Sequence, residues 1–233
     1  MNKACVIKVI IGALLLFYIT YGSAESIYQS KHNLSVSGTG QVKAYGEEEV
    51  CIFCHTPHSG STEIPLWNRH TSSVESYIFA PSQYLASKPP EMPDGDSKLC
   101  LSCHDGTVAL GNLINIRGRG GFISMSYDFL SQRDSYIGTD LSGSHIISIA
   151  FDENLIFEWK TIFRKDCLRL PSRKEILLPP TYPMGEKKDG IQCTTCHDPH
   201  DDENGKFLRL GTPDNYSELC QACHIPAKEG GCY

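Results

Sequence analysis

Cysteine and histidine recur in the order Cys-x-x-Cys-His at four places in this 233-residue chain. Composition alone predicts roughly 0.02 copies of this pattern. Two thiols at this spacing can add across the two vinyl groups of one haem, and the histidine that follows can bind the iron. The motifs therefore predict four covalently attached haem c groups. The predicted attachment residues are Cys51, Cys54, Cys100, Cys103, Cys193, Cys196, Cys220 and Cys223. The predicted proximal iron ligands are His55, His104, His197 and His224.

Zinc binding is the main alternative interpretation, because paired Cys-x-x-Cys units also build tetrahedral Cys₄ sites. A zinc site of that kind does not need a histidine after every pair, and all four pairs here have one. Thioredoxin-like redox chemistry needs only one Cys-x-x-Cys unit near a βαβ pattern, which the sequence does not show. The spacing therefore favours haem.

Five histidines lie outside the motifs, and each iron has a second axial position to fill. His58 follows His55 by three residues, so the intervening backbone spans at most ~11 Å. We expect His58 to cap a neighbouring haem, because passing around the edge of its own porphyrin is harder. His200 stands in the same relation to His197. The predicted distal ligands are His32, His58, His145 and His200, and His70 is left out as a surface or propionate-contacting residue.

Methionine is the other candidate for a distal ligand, and it would raise the reduction potential. Met92, Met125 and Met184 are available, but none stands in a recurrent sequence context. Ligation of every iron by two histidines is therefore the favoured interpretation, and it predicts low potentials.

The motifs and lone histidines fall into two sets with the same order. In the first set, His32 precedes the motifs at 51–58 and 99–104. In the second set, His145 precedes the motifs at 193–200 and 219–224. Self-similarity of this kind predicts two equivalent haem pairs, although the intervening lengths differ.

Several segments beyond the motifs resemble a known family. They are "SKHNLSVSGTG", "CIFCHTPHSG", "PLWNR", "LCLSCHDGTVALGN", "DLSGSHIIS", "CTTCHDPH" followed by "GKFLR", and "LCQACH". Together they cover nearly all of 29–224 and are similar to the OmcE-type outer-surface tetrahaem cytochromes. The resemblance implies bis-histidine haems in a continuous stack, with His32 and His145 as distal ligands. It also implies a homopolymeric, conducting extracellular filament in which His32 is the natural candidate to bind a haem of the neighbouring subunit. In the family, a proline usually follows the histidine that corresponds to His145, and this proline is missing from "SHII".

The N-terminal segment has the layout of a cleaved secretory signal. Lys3 and Lys8 precede a short apolar run, and small residues end at Ala24. The run is shorter than the ~20 residues needed to span a bilayer, so no membrane span is predicted after cleavage of residues 1–24. Cleavage changes the formal charge from −6 to −8 as the basic count falls from 21 to 19 against 27 acids. This balance argues against nucleic-acid binding, and export predicts a periplasmic, cell-surface or extracellular location.

The predicted fold is mostly irregular chain with short α-helices and few short strands, organised around a haem stack. Four haems share a short chain, so only a small stretch of protein surrounds each one. Protein units of that size bury little apolar surface by themselves, so the cofactors are expected to form the core. We expect a helix to start at each motif and another in "TPDNYSELC", capped by Asp214 or Ser217. "HIISIAFD" predicts a short strand. The predicted regions are an N-terminal haem pair at 25–140, a connecting segment at 141–180 that contains His145, and a C-terminal haem pair at 181–233.

Cys167 and Cys232 are the cysteines of the predicted mature chain that lie outside the motifs. A disulfide between them suits an exported protein, but sequence alone leaves open whether they come within bonding range. Cys167 lies in the basic segment 164–174, which is either a solvated loop or a patch for haem propionates or an acidic partner.

Irons with two histidine ligands have no open position for a substrate, so the sequence favours an electron carrier over an enzyme. With the resemblance, the predicted function is electron transport through a filament subunit that exchanges electrons with redox partner proteins. A monomeric periplasmic electron shuttle is the first alternative. A haem enzyme of the nitrite or hydroxylamine reductase type is less favoured, because such enzymes need an open iron.

Overall fold

The structure is a computed structural model that describes residues 24–61, 64, 66–81, 90–130, 135–172, 174 and 176–232. The side chains of 24–26 and 119 are outside this description, and the predicted signal peptide lies outside the described residues except for Ala24. Irregular backbone predominates, with a few short helices and strands. The predicted fold class is therefore confirmed.

Each Cys-x-x-Cys-His motif contains a helical turn. The helices are α1 (Ala24–Gln29), α2 (Gly95–His104), α3 (Glu153–Phe163), α4 (Cys193–Cys196) and α5 (Ser217–Gln221), and 3₁₀ turns lie at Cys51–Phe53, Pro183–Gly185 and Ala227–Glu229. A helical turn brings positions i and i+3 to one face, which places the two cysteines of a motif side by side.

The predicted helix starts are right for two motifs and wrong for the other two. The 3₁₀ turn at Cys51–Phe53 and helix α4 begin at the first cysteine, whereas α2 and α5 begin upstream of it. A helix in "TPDNYSELC" is confirmed, but its predicted caps are wrong. Tyr216 is the N-cap residue of α5, with no side-chain cap hydrogen bond.

Two small antiparallel sheets support the motif loops. A hairpin pairs β1 (Asn112–Ile116) with β2 (Arg119–Phe122). The second sheet has the order β3 (Ile149–Ala150), β5 (Lys188–Ile191), β4 (Pro180–Thr181). Strand β3 lies inside "HIISIAFD", so the predicted strand is confirmed, although it is only two residues long.

Helix α3 is the longest described helix, and the sequence patterns did not predict it. Its N-cap is Asp152, whose side chain accepts a hydrogen bond from the backbone N–H of Leu155 (3.0 Å). Phe157 on this helix is 70% exposed. Because large apolar side chains lie on the exposed side as well as the buried side, no clear apolar stripe marks the helix in the sequence.

The apolar interior is divided into three small clusters. The largest joins the first motif to the β-hairpin and contains Ala44, Ile52, Phe53, Leu110, Leu113, Ile123, Met125 and Leu130. The others centre on β3 with α3 and on α2 with its neighbours. No helix among the described residues has the length and apolar character that crossing a bilayer requires.

Candidate functional site

The four motifs lie next to one another, and each adjoins the next in the sequence. We number them site 1 (Cys51–His55), site 2 (Cys100–His104), site 3 (Cys193–His197) and site 4 (Cys220–His224). The thiols of Cys100 and Cys193 form a hydrogen bond. Cys54 is an electrostatic neighbour of Cys103, as Cys196 is of Cys220 and Cys223.

Sites 1 and 3 are held by the same backbone arrangement. At site 1, the N–H of Thr56 donates to Leu66 O (3.0 Å) and that of Asn68 donates to Cys54 O (2.9 Å). His55 thereby pairs with the residue between Leu66 and Asn68. Leu66 has a positive φ of 65°.

At site 3, the N–H of Asp198 donates to Phe207 O (2.7 Å) and that of Arg209 donates to Cys196 O (2.9 Å). His197 pairs with the residue between Phe207 and Arg209. Phe207 has a positive φ of 59°. The sequence repeat is thus accompanied by a repeat of backbone geometry at these two sites.

Two buried asparagines position the loop that carries His58. Asn68 Nδ2 donates to Ile52 O (2.7 Å), and Asn68 Oδ1 accepts from the backbone N–H of Asn115 (2.8 Å). Asn115 Nδ2 in turn donates to His58 O (2.8 Å) and to Thr56 Oγ1 (2.9 Å). The loop of site 1 is therefore tied to strand β1 by side chains that sequence reasoning did not single out.

Sites 2 and 3 are joined by a buried polar network between α2 and α4. Gln192 is 1% exposed. Its Oε1 accepts from the N–H of Ser97 (3.0 Å), and its Nε2 donates to Asp94 Oδ1 (2.7 Å). The hydroxyl of Ser97 accepts from the N–H of Cys193 (3.0 Å). These bonds fix the helical turn of site 3 against the helix of site 2.

Site 4 rests on the segment around Cys167. The N–H of Ile225 donates to Cys167 O (2.8 Å), and the N–H of Arg169 donates to Cys223 O (2.8 Å). Cys167 forms a disulfide with Cys232, with Cα atoms 5.0 Å apart. The pairing that the sequence left open is therefore present in this fold, and it closes the chain around the motif.

Three pairs of histidine rings lie at nearly the same centroid distance, with ring planes 18°, 65° and 82° apart. The ring centroids are 6.0 Å apart for His55 and His200, 6.1 Å for His104 and His32, and 6.2 Å for His224 and His145. Each pair joins one motif histidine to one predicted distal ligand that is remote in sequence.

This spacing fits two imidazoles on opposite sides of one iron. Each side requires a metal–nitrogen bond of about 2 Å, and each ring centroid lies about 1 Å beyond its nitrogen, so the centroids end about 6 Å apart. The donor set therefore fits a haem at sites 1, 2 and 4.

The fourth pair is not formed in the same way. The remaining motif histidine is His197, and the remaining predicted distal ligand is His58. The structure describes both residues. The structure shows no ring contact of this kind between them. His197 instead has His104 of site 2 as an electrostatic neighbour.

Hydrogen bonds fix the tautomer of several of these histidines. The Nδ1 atoms of His104 and His197 lie 2.8 and 2.9 Å from the carbonyl oxygens of Ser135 and Lys206. The same holds for His145, whose Nδ1 lies 2.9 Å from Ile146 O. A carbonyl only accepts, so Nδ1 carries the proton and Nε2 keeps its lone pair for a metal.

Burial favours the neutral form of four of the histidines, and the neutral imidazole is the form that binds a metal. It lowers the pKa of His104 and that of His32. Burial also lowers the pKa values of His55 and His224, and the facing rings of His200 and His145 lower them further.

Three buried N–H groups lack a hydrogen-bond partner among the described residues, and sequence reasoning assigned none of them. They are the N–H groups at Nε1 of Trp67, Nε of Arg69 and Nε1 of Trp159. Trp67 packs edge-on against His55, with ring centroids 5.7 Å apart. Trp159 belongs to the apolar cluster that contacts Cys223. The segment "PLWNR" was a visible signal for the first two residues, but their burial was not predictable from it.

The other sequence candidates are placed as follows. His70 is exposed. Met125 is buried in the largest apolar cluster and Met184 is 99% exposed. His32 also stacks on Phe207, with centroids 4.2 Å apart. It has a partner ring within its own chain, and its donation to a neighbouring subunit stays a prediction.

One protein family matches part of the chain. Residues 185–232, which contain sites 3 and 4, match the family model described as the doubled CXXCH motif. This match indicates a multihaem c-type cytochrome. No curated protein matches the chain. The motifs of such a cytochrome bind haem c covalently, and proteins of this kind mainly transfer electrons. Among the described residues, no group of three or more His, Cys, Asp or Glu side chains has the geometry of a metal-ion site.

Proposed function

We propose that this multihaem cytochrome is a tetrahaem electron carrier in which two histidines hold each iron. The observation that carries the proposal is the common 6.0–6.2 Å spacing of three histidine ring pairs. A motif histidine and a distal histidine meet in each pair, as ligation of one iron requires.

The ligand pairs follow from this geometry. His55 and His200 hold the iron of site 1, His104 and His32 that of site 2, and His224 and His145 that of site 4. By elimination, His58 and His197 serve site 3. The loop after site 1 then contributes a ligand to site 3, and the loop after site 3 contributes one to site 1. This exchange binds the two halves of the chain to each other.

The chain's own residues have three tasks in electron transfer. Carbonyl groups such as Ser135 O hold the imidazoles in one tautomer and orientation. The contiguous cysteines bring neighbouring attachment points together. The buried polar network of Gln192 keeps sites 2 and 3 at a fixed separation. Bound haem supplies the one-electron chemistry, and histidine on both sides favours a low potential.

Mass spectrometry and optical spectroscopy of the exported protein test the proposal. We expect a mass increase of four haems, low-spin spectra for every iron, and no carbon monoxide binding after reduction. A product without added haem, or one that binds carbon monoxide stoichiometrically, contradicts it. The second result favours a reductase with an open iron.

We also propose that the chain is exported and forms an extracellular filament of the OmcE type. The signal-like segment at 1–24 supports export, and a disulfide suits the same compartment. The resemblance of 29–224 supports the filament. Negative-stain electron microscopy of the haem-loaded protein distinguishes this from a monomeric shuttle. Filaments are expected, and discrete particles at all concentrations contradict the polymer.

A further inference from the structure

Arg69 is a fully buried cation. Its side chain is 0% exposed. It donates to the carbonyl oxygens of Leu110 (2.7 Å), Ala109 (3.0 Å) and Ser102 (3.5 Å). Its Nε–H has no acceptor in the described part of the chain. None of the ion pairs found between described residues includes Arg69. Among the described residues, its hydrogen-bond partners are therefore backbone carbonyl groups alone.

This cation lies between sites 1 and 2. Asn68, which precedes Arg69, donates its backbone N–H to Cys54 O (2.9 Å). The Ser102 carbonyl that accepts from Arg69 directly precedes Cys103. The positive charge of Arg69 acts electrostatically on the side chains of both cysteines.

A buried cation at this place changes the energetics of reduction. Oxidation of an iron adds one positive charge, so a nearby cation destabilises the oxidised form and raises the reduction potential. Water screens such an effect at the surface, but burial preserves it. Reduction takes up one electron from a one-electron reductant such as dithionite, and no bond of the protein forms or breaks.

Site 2 also has a negative charge beside it, which opposes the positive charge of Arg69. Asp105 directly follows His104 and is 1% exposed. Its carboxylate accepts from Tyr77 Oη (2.5 Å) and from the N–H of Thr107 (2.8 Å). Its negative charge acts on Cys103 and on His104. Site 2 therefore has both a buried cation and a buried anion beside it.

The backbone repeat provides an internal comparison. Asn68 of site 1 corresponds to Arg209 of site 3, so Arg69 corresponds to Leu210. Arg209 forms an ion pair with Asp198, at 3.0 Å between Nη1 and Oδ2. The arginine of site 3 thus has a carboxylate partner, whereas Arg69 has none in the part of the chain that the structure describes.

We propose that Arg69 raises the reduction potential of site 1 above that of site 2, where Asp105 offsets its charge. The inference rests on the proposed tetrahaem function. Arg69 acts as a positioning and tuning residue through electrostatics, not as an iron ligand. Sites 1 and 2 are consequently unequal acceptors, and electrons passing between them favour site 1.

Spectroelectrochemical titration of the haem-loaded chain tests this assignment. A His200→Met variant marks the component of site 1, because methionine ligation raises its potential. Arg69→Gln is expected to lower the reduction potential of that component by about 59 mV, which is a tenfold change in the equilibrium of a one-electron reduction. Arg69→Lys keeps the charge and is expected to retain most of the potential.

The control is Arg169, an exposed arginine that pairs with Glu229 (3.6 Å between Nη1 and Oε2). It also donates to a backbone carbonyl, Gln221 O (2.6 Å), and lies beside site 4. Its side chain is 46% exposed. Solvent screens this charge, so Arg169→Gln is expected to shift any component by less than a third of the Arg69→Gln effect.

The outcomes separate the inference from the proposed function. Four haems with unchanged potentials in Arg69→Gln overturn the inference and leave the function intact. Fewer than four haems in the wild-type protein overturns the function. If Arg69→Gln does not accumulate, Asp105→Asn decides the matter. In Asp105→Asn, a higher reduction potential confined to site 2 supports the inference, and an unchanged potential overturns it. His32→Met identifies the component of site 2.

Discussion

At the scale of single residues, backbone carbonyl groups orient the imidazoles of the motif histidines. The backbone carbonyl groups of Ser135 and Lys206 take the Nδ1 protons of His104 and His197. Nε2 is then the ring nitrogen that remains to bind a metal. The chemistry of the site is thus prepared by peptide groups outside the motifs.

Removal of one distal ligand is expected to open one iron. In His200→Ala, the haem of site 1 stays attached through Cys51 and Cys54 but loses the imidazole that faces His55 at 6.0 Å. The reduced variant is expected to bind one equivalent of carbon monoxide per chain, measured by optical titration. His70→Ala is the control and is expected to bind none, as in the wild type. Absence of binding in His200→Ala contradicts the assigned pair.

A buried carboxylate, that of Glu47, makes the stability of the fold depend on pH. Burial raises the pKa of Glu47, but the N–H of Glu49 and the guanidinium of Arg117 lower it more, so the pKa lies below its ordinary value. A folded-state pKa below the unfolded value contributes stability above the unfolded pKa. That contribution is lost as the pH falls through the folded pKa.

Thermal unfolding as a function of pH tests this contribution. At neutral pH, Glu47→Gln is expected to lower the free energy of unfolding by about 1 kcal/mol, and the difference from wild type is expected to vanish in acid. The matched control is Glu49→Gln, whose side chain is 60% exposed. A constant difference at every pH would show that Glu47 is not ionised in the folded protein.

At the scale of elements, short helical turns present the cysteines and polar side chains set their relative positions. The same backbone arrangement recurs at sites 1 and 3, although Asn68 occupies one copy and Arg209 the other. The geometry therefore depends on backbone hydrogen bonds, and the side chains remain free to differ in charge. This freedom allows two similar sites to have different potentials.

The network between α2 and α4 is expected to be sensitive to the loss of one amide. Gln192→Leu leaves the N–H of Ser97 without its partner and removes one of the two donors to Asp94 Oδ1, where Thr181 Oγ1 remains (2.9 Å). The unpaired buried N–H and the lost bond to the carboxylate are expected to cost about 2 kcal/mol together, measured as a lower free energy of unfolding in denaturant. Gln29→Leu makes the same substitution at an exposed position and is expected to cost little. Equal effects of the two substitutions contradict the role of the network.

At the scale of the whole molecule, the apolar interior is split into three clusters. Clusters of this size give limited stability by themselves, so covalent attachment and cross-links gain importance. The Cys167–Cys232 disulfide is such a cross-link, and its two cysteines are 65 positions apart in the sequence. It encloses sites 3 and 4 in one covalent loop.

Loss of this disulfide is expected to destabilise the chain without changing the haem content. The double variant Cys167→Ser, Cys232→Ser is expected to lose about 4 kcal/mol, because a loop of this length is no longer closed in the unfolded state. Calorimetry of the haem-loaded protein measures the change. A mild reductant added to the wild type should reproduce it and should have no further effect on the variant. An unchanged melting temperature in both cases contradicts the prediction.

The amino-acid sequence by itself determined the attachment chemistry and the irregular fold. Both depend on local spacing: two thiols at i and i+3 share one face of a helical turn, and many Gly and Pro residues interrupt longer elements. The tertiary structure decided which histidines face each other, since His55 and His200 are remote in sequence. It also decided that Arg69 is buried and has no carboxylate partner among the described residues, while Arg209 has one. Burial and charge compensation arise only when distant segments pack, and no local pattern of residues encodes them.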